Sequence, residues 1–326
     1  MKILVTGGTG FIGSHLIKSL IDGGNETRCL VRRNSNVDNL QKLGAELVYG
    51  DVTEAKSIGD AFAGIDVVYH LAGFLGRWGI PDQVYWNTNV KGTQNMLEKS
   101  YEYDIKKFIY CSSAGVTGPV SLIPQDELAP YNPTNIYELT KAEAEKCVLN
   151  FYHEKGLPAI VIRPEFIYGP MDKHTFQLFK IISNKKFILI DGGRAVWHPT
   201  YIDDLISSFK LCLTSQKAIG QCYLIAGERY LTIKEFSSKI AKALNVPDTK
   251  IAIPKNMALL LATGIEKLGE ILNFDPPLSR SRVKTFCGNR AFDTAKARKD
   301  LGYVPTVTID EGIQRTANWY KQNGWL

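Results

Sequence analysis

The sequence predicts an α/β chain, with a doubly wound parallel sheet in its first half and a smaller, mostly helical lobe in its second. Three observations lead to this prediction. The β-branched run Lys2–Val5 passes at once into a glycine-rich turn and an amphipathic helical pattern. Apolar strands then alternate with helical patterns, which is typical of a parallel sheet covered by helices on both faces. After Gly169-Pro170 helical patterns dominate.

The first element is a strand, a turn and a helix within residues 2–20. Gly7 lets the chain leave the strand without a Cβ, and Gly13 lets the helix pack closely on the sheet. Gly10 allows the backbone to approach phosphate groups, and Phe11 and Ile12 open a helix whose free N–H groups attract an anion. The pattern predicts a site for a dinucleotide pyrophosphate, with a glycine-rich structural turn as the alternative.

The remaining elements follow in chain order. Further strands of the sheet are predicted at Glu26–Val31, Ala45–Tyr49, Asp66–Leu71, Phe108–Ser112 and Ala159–Ile162, and the longest helices between them at Val84–Tyr103 and Ile136–Glu154. In the second half, helices are predicted at Thr175–Ser183, Ile202–Leu213, Thr232–Leu244, Met257–Leu272 and Ile309–Gln322, with short strands near Phe187–Ile190 and Cys222–Ile225. We therefore expect a dinucleotide-binding domain over residues 1–166 and about 199–226, and a substrate lobe over 167–198 and 227–326. The apolar helix 257–272 is expected to pack in the core of that lobe, with a role facing a lipid-like substrate as the alternative.

Composition narrows the classes of function. The chain has 326 residues and a formal net charge of +6, which suits an anionic cofactor, but its cationic residues are scattered, so nucleic-acid binding is not expected. The six cysteines form no C-x-x-C pair, which is typical of the reducing cytosol. We expect a cytoplasmic protein with no signal peptide, membrane span or metal, in which His70 and His198 have structural roles.

A tyrosine and a lysine stand one helical turn apart in the second long helix. Tyr137 and Lys141 share a helix face at this spacing, and an ammonium beside a phenol is expected to lower the pKa of the phenol. Such a tyrosine exchanges a proton with an alcohol or carbonyl oxygen while hydride moves at the adjacent carbon. Ser113 follows the strand that ends at the same edge and is expected to stabilise charge on that oxygen, with Ser112 as the alternative. An unreactive helix-surface pair is the other interpretation of Tyr137 and Lys141.

With these motifs the chain resembles the extended short-chain dehydrogenase/reductase family over nearly its whole length. Further family-like segments are Gly50-Asp51-Val52, His70-Leu71-Ala72-Gly73, Asn89-Val90-Lys91-Gly92-Thr93, Arg163–Pro170, His198–Asp204 and Leu301–Pro305. The resemblance implies a Rossmann fold in which Tyr137 is the general acid/base, Lys141 tunes it and bonds the nicotinamide ribose, Ser113 polarises the reacting oxygen and Asn89 organises a proton relay. It also implies cofactor contacts from Asp51, Val52, Leu71, Ala72, Pro164 and Ile167, and a homodimer formed through the two long helices.

The end of the second strand predicts the cofactor. Members of the family that bind NAD carry an acidic residue there, which bonds the ribose 2′-hydroxyl. Here Arg32 stands 19 residues beyond Gly13 and is followed by Arg33. A guanidinium matches a 2′-phosphate in charge and geometry, so we predict NADP, with NAD as the second choice. A pair of exposed arginines with no ligand is the alternative.

Departures from the family pattern narrow the reaction. Ala114 and Gly115 replace the acidic residues of dehydratases, and Phe166 stands where nucleotide-sugar enzymes carry an asparagine, which makes the site more apolar. The pattern resembles the hydroxysteroid-dehydrogenase-like, dihydroflavonol-reductase-like and hopanoid-associated sugar-epimerase-like branches. Candidate substrate contacts are Phe74, Arg77, Trp78, Ser113, Glu165 and Phe166.

These observations predict an NADP-dependent oxidoreductase that interconverts a secondary alcohol and a ketone on a small or apolar substrate. A nucleotide-sugar 4-epimerase, similar to UDP-glucose 4-epimerase and with tightly bound cofactor, is the alternative. A non-catalytic NADP sensor is a third hypothesis, and the Tyr137, Lys141 and Ser113 set argues against it.

Overall fold

A computed structural model describes residues 1–76, 78–120, 123–272 and 274–326 of the chain. Its strands are β1 (Lys2–Thr6), β2 (Glu26–Val31), β3 (Glu46–Tyr49), β4 (Val67–His70), β5 (Lys107–Cys111), β6 (Ala159–Pro164), β7 (Ile167–Tyr168), β8 (Leu189–Ile190), β9 (Val196–Trp197), β10 (Thr200–Tyr201), β11 (Cys222–Ile225), β12 (Leu231–Thr232) and β13 (Ala252–Ile253). Its α-helices are α1 (Phe11–Asp22), α2 (Asp38–Lys42), α3 (Asp82–Tyr85), α4 (Gly92–Glu102), α5 (Ile136–Lys155), α6 (Lys173–Ser183), α7 (Ile202–Thr214), α8 (Ile233–Leu244), α9 (Lys255–Leu272), α10 (Arg280–Phe286), α11 (Ala295–Leu301) and α12 (Ile309–Gln322).

Seven parallel strands form the central sheet in the order β11-β6-β5-β4-β1-β2-β3. The order reverses direction at β1, so the loops after β1 and β4 meet at one edge of the sheet, where ligands bind in doubly wound folds. Apolar clusters cover both faces, one with Ile3 and Val5 from β1 and the other with Leu4. The predicted doubly wound fold is confirmed.

The second half of the chain builds a smaller layer over this edge. Three two-stranded sheets, β10-β7, β12-β9 and β13-β8, connect the helices there within the described residues. The segment after α10 returns to the first half, where the Val120 amide donates to the Asn289 carbonyl at 2.9 Å and the Gln125 amide donates to the Ala291 carbonyl at 3.0 Å. All strands of the central sheet lie inside the predicted domain 1–166 and 199–226, and the domain boundaries themselves stay a prediction.

Two predicted helices differ in the structure. The pattern Val84–Tyr103 is not one α-helix, because a π-helix at Trp86–Lys91 separates α3 from α4. The expectation that helix 257–272 lies in the core is wrong for one of its faces, since Leu260 and Ile271 on α9 are exposed. Among the described residues, no helix is both long and apolar enough to cross a membrane.

Candidate active site

The glycine turn after β1 packs closely against the loop that follows β4. Gly7 has a φ of +74°, and a Cβ there would lie 2.7 Å from the Ala72 amide nitrogen. A Cβ at Gly13 would lie 2.3 Å from the Gly7 carbonyl oxygen, so both positions require glycine. Helix α1 begins at Phe11, and within the described chain no side chain caps it and no acidic residue occupies its first turn. Its free N–H groups therefore fit an anionic pyrophosphate.

Three further candidate cofactor contacts lie beside this turn. Arg32 and Arg33 follow β2 and are exposed, and the pairing of Thr6 with Leu30 brings them to the same edge as the glycine turn. The Asp51 carboxylate accepts two hydrogen bonds at 2.9 Å, from the amide and the hydroxyl of Thr53. These bonds fix the carboxylate in the loop after β3, the strand that pairs with β2.

Other candidate cofactor residues are held by backbone contacts. The Val52 carbonyl accepts from the Asn95 side chain at 2.7 Å, and the Ala72 amide donates to the Thr6 hydroxyl at 3.1 Å. Leu71 precedes Ala72, and its amide donates to the Thr6 carbonyl at 3.3 Å. The loop after β3 is thus held against α4, and the loop after β4 is held against β1. Both lie at the edge of the sheet where ligands bind in doubly wound folds.

Ser113 and Tyr137 meet where β5 ends and α5 begins. The Asn135 side chain accepts from the Glu138 amide at 2.9 Å and starts α5, so Tyr137 lies in its first turn. The Ser113 hydroxyl accepts from the Gly115 amide at 3.1 Å. Burial raises the pKa of Tyr137, and its hydrogen bond with Ser113 acts in the opposite direction. Tyr137 therefore keeps its proton at neutral pH.

The Lys141 ammonium is hydrogen-bonded to the backbone of β5. Its Nζ donates to the Cys111 carbonyl at 2.6 Å and lies 4.2 Å from the centre of the Tyr110 ring. Burial lowers the pKa of Lys141 to about 8. The expectation of a lowered pKa for Tyr137 is wrong in this environment, because desolvation of the phenol dominates its protonation.

Ser112, the alternative to Ser113, belongs to a buried network behind the site. Its hydroxyl donates to Glu145 at 2.5 Å, and Glu145 also accepts from Tyr131 at 2.8 Å and from Arg163 at 2.5 Å. This network occupies the Ser112 hydroxyl, which leaves Ser113 as the serine beside the tyrosine. The sequence carried no signal for it, because its members are far apart along the chain.

Asn89 lies in the π-helix and holds the loop after β4. Its amide oxygen accepts from the Phe74 amide at 2.7 Å, and its amide nitrogen donates to the Phe74 carbonyl at 3.2 Å and to the Thr140 hydroxyl at 3.0 Å. The Asn89 carbonyl accepts from the Thr93 hydroxyl at 2.6 Å. The side chain of Asn89 therefore connects the loop to the helix that carries Tyr137.

The segment after β6 crosses above the glycine turn. Pro164 ends β6 and Ile167 begins β7, which pairs with Thr200 of β10. A Cβ at Gly169 would lie 3.6 Å from the Phe11 ring, so this segment and the turn are in close contact.

Glu165 and Phe166 lie between Pro164 and Ile167. Glu165 is only 5% exposed, and burial raises its pKa to about 7 despite the attraction of Arg290. Phe166 is half-buried, has a positive φ of 32° and stacks on Trp197 at 4.5 Å between ring centres. A positive φ is costly for an aromatic residue, so packing against Trp197 must hold Phe166 in this conformation.

The other predicted substrate contacts come from residues 74–78, which follow β4 in the chain. Phe74 packs edge-to-face on Tyr85 at 5.0 Å, and Trp78 is half-buried in the same loop. Arg77 lies outside the described residues. His70 bonds the hydroxyls of Thr6 and Thr93, and burial lowers its pKa to about 3.

His198 has a structural position as well. Its Nε2 bonds the Gly227 carbonyl at 3.2 Å and its Nδ1 accepts from the Phe292 amide at 3.3 Å. Burial lowers the pKa of His198 to about 4, so the ring is neutral and joins two segments of the smaller layer.

Comparison with known proteins gives consistent similarities. The model of the NAD dependent epimerase/dehydratase family matches residues 3–226. A 2-alkyl-3-oxoalkanoate reductase of Stenotrophomonas maltophilia is 31% identical over 97% of this chain and 98% of its own. A 3 beta-hydroxysteroid dehydrogenase/Delta 5→4-isomerase of Mycobacterium tuberculosis is 30% identical over 98% of this chain and 90% of its own. A crystal structure of UDP-glucuronic acid 4-epimerase from Bacillus cereus in complex with NAD has a TM-score of 0.81 and 26% identity, and the match covers 99% of each chain.

Proposed function

Because this chain belongs to the NAD dependent epimerase/dehydratase family, as its motifs predicted, we propose that it is an NADP-dependent oxidoreductase that interconverts a secondary alcohol and a ketone. The family comprises NAD(P)-dependent dehydrogenases, reductases and epimerases. The observation that carries the proposal is the approach of Ser113, directly after β5, to Tyr137 in the first turn of α5, at the sheet edge that also carries the glycine turn. Two hydroxyl groups at one point can bind a single substrate oxygen, as hydride transfer to or from the adjacent carbon requires.

Each of the candidate catalytic residues has a distinct role in the proposed reaction. The hydride that reaches the carbonyl carbon would come from NADPH when it is bound. Ser113 donates a hydrogen bond to the carbonyl oxygen, and Tyr137 gives its proton to that oxygen as negative charge develops on it. Since burial raises the pKa of Tyr137, the phenol carries its proton at neutral pH and is in the form that ketone reduction requires of a general acid. Lys141 would bond the nicotinamide ribose, and Asn89 holds the loop after β4 through the Phe74 backbone.

The substrate side of the site favours an apolar molecule. Phe166 replaces the asparagine of nucleotide-sugar enzymes and continues into Trp197 and Phe236, with ring centres 4.5 Å and 5.6 Å away. Glu165, with a pKa raised to about 7, supplies one polar contact that carries a proton over much of the neutral range. The reductase and hydroxysteroid dehydrogenase among the relatives are named for keto and hydroxyl substrates, which supports the same class.

The two arginines after β2 support NADP as the cofactor. Arg32 and Arg33 are exposed at the edge that carries the glycine turn, where a 2′-phosphate would lie. The double substitution Arg32→Ala/Arg33→Ala is expected to weaken NADP binding by about tenfold or more and to change NAD binding little. Isothermal titration with each cofactor measures this preference, and a wild-type protein that binds NAD more tightly would contradict it.

The reaction is tested by nicotinamide absorbance. With NADPH and a panel of cyclic and long-chain ketones, wild type is expected to oxidise the cofactor. Tyr137→Phe and Ser113→Ala are expected to lose about 10²–10⁴ in kcat while binding NADPH normally. Ser112→Ala is the matched control, because its hydroxyl is bound to Glu145. Full activity in Tyr137→Phe would refute the mechanism.

The similarity to UDP-glucuronic acid 4-epimerase, at 26% identity over 99% of the chain, favours nucleotide-sugar 4-epimerisation as the second candidate. Such an enzyme returns hydride to its substrate, so inversion of a nucleotide sugar without net change in absorbance would favour it over the reductase. We also propose that the protein is cytoplasmic and that it forms a homodimer through α4 and α5. Sedimentation velocity tests the dimer.

A further inference from the structure

Helix α9 carries an apolar stripe that faces away from the protein. Its members recur at helical spacing and all are exposed: Met257, Leu260, Leu261, Gly264, Leu268, Ile271 and Leu272. Leu260 is 75% exposed and Ile271 is 77% exposed. Spacing by three and four residues puts these positions on one side of the helix over its full length. Soluble proteins rarely leave so continuous an apolar face open without a binding role.

The opposite side of α9 fixes this orientation. Ala258, Ala262 and Gly269 are buried, and Glu266 between them accepts from the amide and the guanidinium of Arg280 at 2.8 and 2.5 Å. Small residues let α9 lie close to the protein, and the ion pair of the buried Glu266 with the exposed Arg280 ties α9 to the start of α10. The stripe cannot rotate inward without breaking that pair.

The charges around the stripe indicate its partner. Residues 250–290 contain seven cationic and three acidic side chains, which account for most of the net charge of the chain. Lys255, Lys267 and Lys284 are exposed on α9 and α10. A second copy of the same face would bring these cations against each other, whereas anionic lipid headgroups neutralise them while the leucines enter the acyl boundary.

We propose that α9 binds the surface of an anionic lipid bilayer, with its axis in the plane of the membrane. Helix α10 packs against α9, and aromatic contacts connect α10 to the candidate active site. The ring of Phe286 at the end of α10 packs at a tilt against Trp197, with ring centres 4.9 Å apart, and Trp197 packs at a tilt against Phe166 at 4.5 Å. The membrane face and the apolar wall of the site therefore belong to one packed layer. The binding itself does not depend on the proposed reaction.

Vesicle binding by the full chain tests the proposal. Wild type is expected to co-sediment with vesicles of phosphatidylglycerol and phosphatidylcholine, and much less with pure phosphatidylcholine. Leu260→Glu/Ile271→Glu is expected to weaken binding by about tenfold or more, because it puts two charges into the stripe. Leu128→Glu/Val304→Glu is the matched control, since these residues are 90% and 60% exposed and the charge change is the same.

The outcomes are distinct. Retained binding in the control and loss in the α9 variant, with unchanged thermal unfolding and NADPH binding, supports the proposal. Absence of wild-type binding to anionic vesicles, or equal binding by both variants, overturns it. Sedimentation velocity tests whether a second copy of the chain covers the stripe instead of a membrane. A wild-type dimer that becomes monomeric only in the α9 variant would assign the stripe to a second copy and overturn membrane binding.

Discussion

Lys141 is a single residue whose protonation changes close to neutral pH. Burial lowers its pKa from 10.5 to about 8, so the ammonium is present below pH 8 and is lost as pH rises through that value. If it bonds the nicotinamide ribose, cofactor affinity falls above pH 8. We expect NADP affinity, measured by titration from pH 7 to pH 9.5, to decrease with rising pH in wild type and to vary little in Lys141→Met.

The stability of the protein has the opposite dependence over a higher window. The unfolded chain binds the Lys141 proton up to pH 10.5, whereas the folded chain releases it near 8, so the free energy of unfolding gains a positive slope between these values. Urea unfolding of wild type and Lys141→Met across this window isolates the contribution. Equal slopes in the two proteins would contradict the lowered pKa.

At this scale the sequence identified the residues more reliably than their environments. Tyr137, Lys141 and Ser113 could be identified because the spacing of the first two and the position of the serine after a strand are local features of the sequence. The protonation of Tyr137 depends on desolvation by neighbours from other elements, and the i, i+4 spacing says nothing about it. The commitment of Ser112 to Glu145 was hidden for the same reason.

The π-helix at 86–91 is the element that carries Asn89. Replacement by alanine removes three hydrogen bonds and leaves the Phe74 backbone groups unpaired next to a buried site. Asn89→Ala is expected to lower the free energy of unfolding by about 1–3 kcal/mol. It is also expected to raise KM more than it lowers kcat, because the loop it holds carries predicted substrate contacts and not the proposed acid or its serine.

Asn87 gives the matched control for this element. It lies in the same π-helix and is exposed, and its amide oxygen accepts a hydrogen bond from the Gln83 side chain at 2.9 Å. Asn87→Ala is expected to unfold like wild type in urea and to keep its kinetic constants. An equal loss of stability in both variants would mean that Asn89 acts through helix propensity alone.

Element boundaries show what periodicity can and cannot predict. The strands followed from apolar runs, and all seven strands of the central sheet appear where they were expected. The break in the helix at 84–103 was missed, because an extra residue in one turn leaves the apolar pattern nearly unchanged. The exposure of α9 was missed because a pattern gives the apolar face of a helix and not what covers it.

One buried ion pair joins the two halves of the molecule. Arg290, in the segment after α10, bonds Glu138 of α5 at 2.5 Å, and both side chains are buried. Arg290→Met removes the cationic partner of the buried Glu138 carboxylate, which still accepts hydrogen bonds from Thr134, and is expected to cost about 3–5 kcal/mol. Urea unfolding measures this cost, and adding Glu138→Gln to Arg290→Met is expected to recover part of it.

An exposed pair serves as the comparison. Lys146→Met removes the partner of Glu143 on the surface of the same helix, 2.7 Å away, and is expected to change stability by less than about 1 kcal/mol. If Arg290→Met were equally mild, the pair would not hold the halves together. The overall layering was predictable from the change in pattern after Gly169-Pro170, but this long-range contact was not.

The separation of these partners along the chain sets the order of events at the ribosome. Glu138 is synthesised 152 residues before Arg290, an interval of roughly 8–30 s at ordinary rates of translation. During that time the nascent helix carries its carboxylate without the guanidinium that neutralises it. The ion pair that joins the two halves can therefore form only after residue 290 has been synthesised, and until then the candidate site lacks this contact.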